Sequence, residues 1–120
     1  MRFPPLVSAI IYGSILAAIV GLASGASADG DLAKGRMLAQ SSACFQCHGE
    51  DGNARSTTMQ PIPMLAGQPA TYLVQQMKDY AEGKRLSSTK NFELMVRELR
   101  RLSEKDFEDI AAYYEAQKRY

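Results

Sequence analysis

Two cysteines three positions apart, followed at once by the chain's one histidine, make the segment Cys44-Phe45-Gln46-Cys47-His48. No other feature so narrows what this chain can fold into. A short helical turn brings both thiols to one edge of a flat macrocycle and sets the imidazole beneath its metal, so this spacing marks covalent attachment of c-type haem. The expected cofactor is one haem c, bound through Cys44 and Cys47 with His48 as the proximal ligand. A small domain of this kind folds around a large apolar group, which serves as its staple.

Other chemistries use two cysteines at this spacing. A thioredoxin-like dithiol sits inside a βαβ unit, and the sequence shows no alternating strand pattern from which to build one. A structural zinc site takes four ligands, whereas the chain offers only Cys44, Cys47 and His48, with no second cluster. A disulfide between the two would close a very short loop and leave His48 without a role.

The start of the 120-residue chain is not read as part of the fold. Met1 and Arg2 precede an uncharged apolar run over 6–23, and Ala26-Ser27-Ala28 supplies the small residues at which a signal peptide is cut. Residues 1–28 are therefore expected to be an export signal. The run also approaches the length of a membrane span, which makes a retained N-terminal anchor the alternative, although Gly13, Gly21 and two serines weaken it. Either way residues 29–120 form one domain outside the membrane, periplasmic or tethered to the inner membrane facing the periplasm. Lys and Arg total 14 against 13 Asp and Glu, a balance that offers nucleic acid no electrostatic footprint. Basic residues gather late, at Lys84, Arg85, Lys90, Arg97, Arg100 and Arg101, as either a solvated face or a partner-facing patch.

The spacing predicts a first helix over 31–40, capped by Asp29 or Asp31 and carrying Leu32, Gly35 or Arg36, and Ala39. Gly35 inside it implies close approach of a second helix. A tight turn over 49–53 and a loop over 54–68, broken by Pro61, Pro63 and Gly67, follow the cysteine segment. A middle helix over 71–82 carries Leu73, Met77 and Tyr80 on one face and stops at Gly83. A polar connection over 84–91 leads to a short helix over 92–101. The last helix, 104–118, is opened by Ser103 and has Phe107, Ile110, Ala111 and Tyr114 at i, i+3, i+4 and i+7. It is expected to pack on the first helix, with Tyr114 against Gly35. Tyr72, Tyr80, Phe92, Tyr113 and Tyr114 read as core or haem-edge residues. The fold class is all-α.

These residues resemble the class I cytochromes c, particularly the short bacterial periplasmic ones and the single-haem halves of two-haem members. The resemblance runs over about 30–117. Its motifs are Cys44-Phe45-Gln46-Cys47-His48-Gly49 with Asp51-Gly52-Asn53, then Pro63-Met64-Leu65-Ala66-Gly67-Gln68 with Tyr72-Leu73, and Leu102-Ser103 through Ala111-Ala112-Tyr113-Tyr114. It implies about four short helices around one haem, with the first and last crossing. It also implies that Met95, eight residues before Ser103, is the sixth ligand, and that the Pro63 carbonyl orients the proximal imidazole. The segment 84–94 is longer than in the shortest members, and Leu94-Met95 stands where a Met-Met pair is common. Met59 and Met64 read as loop or packing residues, and a core role for Met95 is the bland alternative to ligation.

With His48 and Met95 as axial ligands the expected function is periplasmic one-electron transfer without bond chemistry, at a fairly positive potential. Redox partner proteins would dock transiently at the haem edge near Cys44 and Cys47. The alternative is an electron-accepting haem subunit of an oxidoreductase complex, such as a flavoprotein sulfide dehydrogenase, whose cytochrome subunits this domain also resembles. A gas sensor or peroxidase would require Met95 to leave the iron.

Overall fold

Asp31 opens the first helix by accepting the Lys34 N–H at 3.0 Å through its side chain, satisfying one of the donors that every helix start leaves free. The computed structural model describes residues 29–120, and every regular element among them is helical. These are α1 (Leu32–Ser41), α2 (Cys44–His48), α3 (Ala70–Ala81), α4 (Phe92–Leu99) and α5 (Glu104–Glu115). The export signal and the alternative anchor, both assigned to residues 1–28, lie outside the described residues. Among the described residues no helix is long and apolar enough to cross a membrane.

The scaffold is the crossing of α1 and α5. A methyl group added at Gly35 would sit 2.0 Å from the Asp109 carbonyl oxygen, and one at Gly30 would sit 2.3 Å from that of Glu108. The two backbones thus touch where α1 lacks a side chain, as the sequence leads one to expect. The contact residues differ from that expectation, since Gly35 lies against Asp109 and Tyr113, while Tyr114 packs on Gly52. The period-3.6 stripe of Phe107, Ile110, Ala111 and Tyr114 is buried, but Asp109, Ala112 and Tyr113 on the other side are buried too, because α1 covers them. Leu32 is half exposed, leaving Gly35 and Ala39 as the buried positions of α1.

Asp109 has no exposed surface. Its Oδ1 accepts the Asp31 N–H at 2.8 Å and lies 3.1 Å from Lys105 Nζ, while Oδ2 lies 3.0 Å from Lys34 Nζ. Burial pushes this carboxyl up, yet the Asp31 N–H and the two ammonium groups outweigh it and hold the group below the usual carboxylate range.

α5 begins in a reciprocal cap, with the Ser103 hydroxyl accepting the Asp106 N–H at 3.1 Å and the Asp106 carboxylate accepting the Ser103 N–H at 2.9 Å. It ends at Glu115, short of the expected Lys118. The tail turns back because the Asn53 amide donates to the Lys118 carbonyl at 2.8 Å and Arg119 Nε to the Ala66 carbonyl at 3.0 Å. α4 likewise stops at Leu99, two residues early; Arg100 instead donates to the Ala81 carbonyl at the end of α3 at 3.0 Å.

Candidate haem site

α2 is a single turn, entered through Ala43 in left-handed backbone (φ 63°) and left through Gly49 (φ 80°). The left-handed alanine costs about 1 kcal/mol and reverses the chain sharply between α1 and α2. Cys44 and Cys47 are half-buried on this turn and unbridged. Burial pushes the Cys44 thiol up to about 11. A catalytic dithiol needs a thiol lowered toward neutrality, the opposite direction to Cys44, and sits in a βαβ unit, whereas every regular element among the described residues is helical. Among the described residues no group of three His, Cys, Asp or Glu side chains is arranged to hold a metal ion.

His48 closes the turn, and its Nδ1 donates to the Pro63 carbonyl at 3.0 Å. A carbonyl only accepts, so the proton is on Nδ1 and Nε2 keeps its lone pair for a metal. Burial lowers the imidazole pKa against the smaller opposing effect of the Pro63 carbonyl, leaving His48 neutral at pH 7.

Pro63 stands there because its loop is tied to the turn after α2. The Gly52 carbonyl accepts the N–H groups of both Leu65 and Ala66, at 2.8 and 3.1 Å, and Gly67 N–H donates to the Tyr114 carbonyl at 2.9 Å. Gly52 itself has φ 71°, and a methyl group there would lie 2.7 Å from Ala66 N and from Tyr114 Cδ1. Tyr113 locks the same turn from α5, its hydroxyl donating to the Glu50 carbonyl at 2.7 Å.

Between α2, the proline loop, α3, α4 and α5 lies an open crevice of about 1450 Å³, mouth included. It is open to solvent on one side and lined mainly by apolar side chains, which suits a flat macrocycle with an exposed edge. Cys44, Cys47, His48 and Pro63 line one part of it, and Met95 and Leu99 line the α4 part. Leu73, Ile110 and Ala111 form an apolar wall. The site residues chosen from sequence therefore share one cavity. Of the other methionines, Met37 and Met59 are exposed, whereas Met64 and Met77 also line the crevice. Met77 packs against the buried core, and Met64 follows Pro63 in the proline loop.

The residues fit the group the motif implies. Two thiols are spaced for thioethers, an oriented imidazole has a free nitrogen, and a large crevice has a soft thioether on another wall. Of the aromatics, Tyr80 and Phe92 meet edge to face at 5.7 Å at the crevice and Tyr113 and Tyr114 are buried, whereas Tyr72 is exposed and reaches the crevice only at its lining. Of the late basic residues, Arg97 and Arg101 flank Glu98, Lys84 pairs with Glu82, Arg100 donates to the Ala81 carbonyl and Arg85 lines the crevice, while Lys90 is exposed with no ion pair among the described residues. Sequence reasoning missed Gly52 as the tie for the loop and Glu98 as a crevice carboxylate.

A sequence model of the family described as cytochrome c matches residues 32–117. Cytochrome c4 of Pseudomonas aeruginosa is 41% identical over 99 residues, covering 82% of this chain and 44% of that protein. Cytochrome c-554(548) of Halomonas halodenitrificans is 44% identical over 75 residues, covering 62% of this chain and 83% of that protein. The solved cytochrome c4 of Acidithiobacillus ferrooxidans superposes with a TM-score of 0.55 at 26% identity, over 75% of this chain and 54% of that one. The chain thus spans about half the length of the cytochromes c4 it matches. The crossed α1 and α5, the all-α class and the cysteine turn agree with these matches, and the chain belongs to the cytochrome c family, with one haem c attached through Cys44 and Cys47.

Proposed function

We propose that this chain carries single electrons in the periplasm, as an exported protein whose residues 1–28 are the export signal and whose residues 29–120 are the working domain. When bound, haem supplies a one-electron Fe(II)/Fe(III) couple. His48 holds one axial position, kept neutral by burial and fixed in orientation by the Pro63 carbonyl. Met95 holds the other, a thioether that favours the reduced state. The apolar wall of Leu73, Ile110 and Ala111 excludes water and so disfavours additional positive charge.

The observation that carries this reading is the pairing of an oriented His48 with a large apolar crevice that also admits Met95. With both axial positions held by the chain, no position is left for a substrate, so the protein exchanges electrons and makes no bonds. Redox partners dock weakly at the crevice mouth beside Cys44 and Cys47, where turnover requires fast release. The relatives' names, cytochromes c4 and c-554(548), favour a carrier over the electron-accepting subunit of a flavoprotein complex. Native mass spectrometry of the protein taken gently from its own cells tests this. A species of residues 29–120 plus one haem agrees, whereas a tight complex with a flavin-bearing chain contradicts the carrier.

A further inference from the structure

Beyond α5 the chain is tied back at four points. Arg119 Nε donates to the Ala66 carbonyl at 3.0 Å. The Asn53 amide grips the same segment with both its ends, donating to the Lys118 carbonyl at 2.8 Å and accepting the Tyr120 N–H at 3.3 Å. The Tyr120 hydroxyl donates to the Asp51 carboxylate, whose other oxygen accepts the Asn53 N–H at 3.0 Å. Tyr120 is thus held by backbone and side chain although its ring is exposed.

Both segments gripped in this way support His48. The Ala54 N–H, next to Asn53, donates to the His48 carbonyl at 3.1 Å. Ala66 is buried and held from two sides, its N–H bonded to the Gly52 carbonyl and its own carbonyl to Arg119. Pro63, earlier in the same loop, carries the carbonyl that takes the His48 Nδ1 proton. Asp51, Asn53, Arg119 and Tyr120 do not line the crevice, so their influence on the axial ligand passes through this seam of backbone bonds.

We propose that Asn53, Arg119 and Tyr120 are positioning residues for the proximal ligand: they clasp residues 118–120 over the seam between Gly52 and Leu65-Ala66 and so keep the Pro63 carbonyl on His48. This rests on the haem assignment above. A carbonyl that accepts the Nδ1 proton makes the imidazole a stronger donor to a metal, and stronger donation favours the oxidised state. Opening the clasp lengthens that bond on average, and the reduced state gains. The bonds of the clasp lie at the surface, where segments open locally at low free energy, so its effect falls on the seam and spares the helix core.

The test combines amide hydrogen exchange with a redox titration of the haem-loaded protein, at one pH and salt concentration. Asn53→Ala and Arg119→Ala are each expected to speed exchange of the Leu65 and Ala66 amides about tenfold, with the Ile110 amide of α5 changed by less than about twofold. Asn53→Ala alters no charge and should raise the reduced-to-oxidised ratio at the parent's midpoint about threefold. Tyr120→Phe removes only the bond to Asp51 and should move both readouts in the same direction by a smaller factor. Gln75→Ala removes an exposed amide contact to Asp79 on α3, away from the seam, and should leave both at the parent's values. Equal acceleration at Leu65, Ala66 and Ile110, the mark of a general loss of stability, overturns the proposal. So does an Asn53→Ala ratio that falls or stays put. Arg119→Ala and Tyr120→Phe change the tail alone, so unaltered Leu65 and Ala66 exchange in both overturns the clasp even where Asn53→Ala fails to assemble. A parent protein without a single one-electron wave would instead overturn the haem assignment itself.

Discussion

His48 is held by one hydrogen bond to a backbone carbonyl 15 residues away, and the loop that carries this carbonyl is tied to a glycine through Leu65 and Ala66. The causal order runs from Gly52, whose carbonyl takes two loop N–H groups, to Pro63, and then to the Nδ1 proton of His48. Gly52→Ala would force a methyl group to 2.7 Å from Ala66 N in left-handed backbone, so a loss of about 3 kcal/mol is expected in denaturant unfolding of the haem-loaded protein. A loss below about 1 kcal/mol would mean the loop yields. At this scale the sequence was readable where chemistry demands fixed spacing, at Cys44, Cys47 and His48. Ala43 and Gly52 were not readable, since an alanine announces no left-handed backbone and a turn glycine does not say that Tyr114 will lie against it.

Among the elements, the α1–α5 crossing bears the fold, and Gly35 and Asp109 define it. Gly35→Ala places a methyl group 2.0 Å from a backbone oxygen, which neither helix can relieve by turning a side chain. The expected loss is about 4 kcal/mol, with α1 amides exchanging faster than those of α3. Asp109 gives the crossing a pH dependence. Its folded pKa is depressed, so its contribution is complete above the unfolded value of about 3.9 and disappears as pH falls through the lower folded value. Asp106, lowered by the Ser103 N–H and Lys34, acts in the same sense. Stability measured against pH should be flat near neutrality and fall steeply below about pH 4. Asp109→Asn should cost about 2 kcal/mol at pH 7 and flatten that acid limb; an unchanged limb would assign the dependence elsewhere. The capped start of α5 and the glycine contact on α1 were legible as local signals. The buried Asp109 was not, because a charged residue in a helix reads as surface until a second helix brings Lys34 to it.

For the whole molecule, core and cofactor site are one structure. Leu73, Ile110, Ala111 and Tyr114 belong to the buried cluster and also line the crevice. A chain that cannot attach haem is expected to leave this wall facing water and to lose fixed tertiary packing while retaining helix. Cys44→Ser with Cys47→Ser should therefore show near-native far-ultraviolet dichroism and a weak near-ultraviolet signal; an intact near-ultraviolet spectrum would show that the helices pack without the group. The all-α class and the order of elements could be read in advance because each helix carries its own period and stop. The end of α5 could not, since it is set by contacts from Asn53 and Ala66 far back in the chain.

The most direct measurement is carbon monoxide binding to the reduced, haem-loaded protein and to its Met95→Ala variant, followed by absorbance. With His48 and Met95 holding both axial positions, the parent should not respond at neutral pH and Met95→Ala should bind carbon monoxide readily. A parent that takes up carbon monoxide, or a Met95→Ala variant that refuses it while Met64→Ala binds, would contradict Met95 as the ligand that makes this chain an electron carrier.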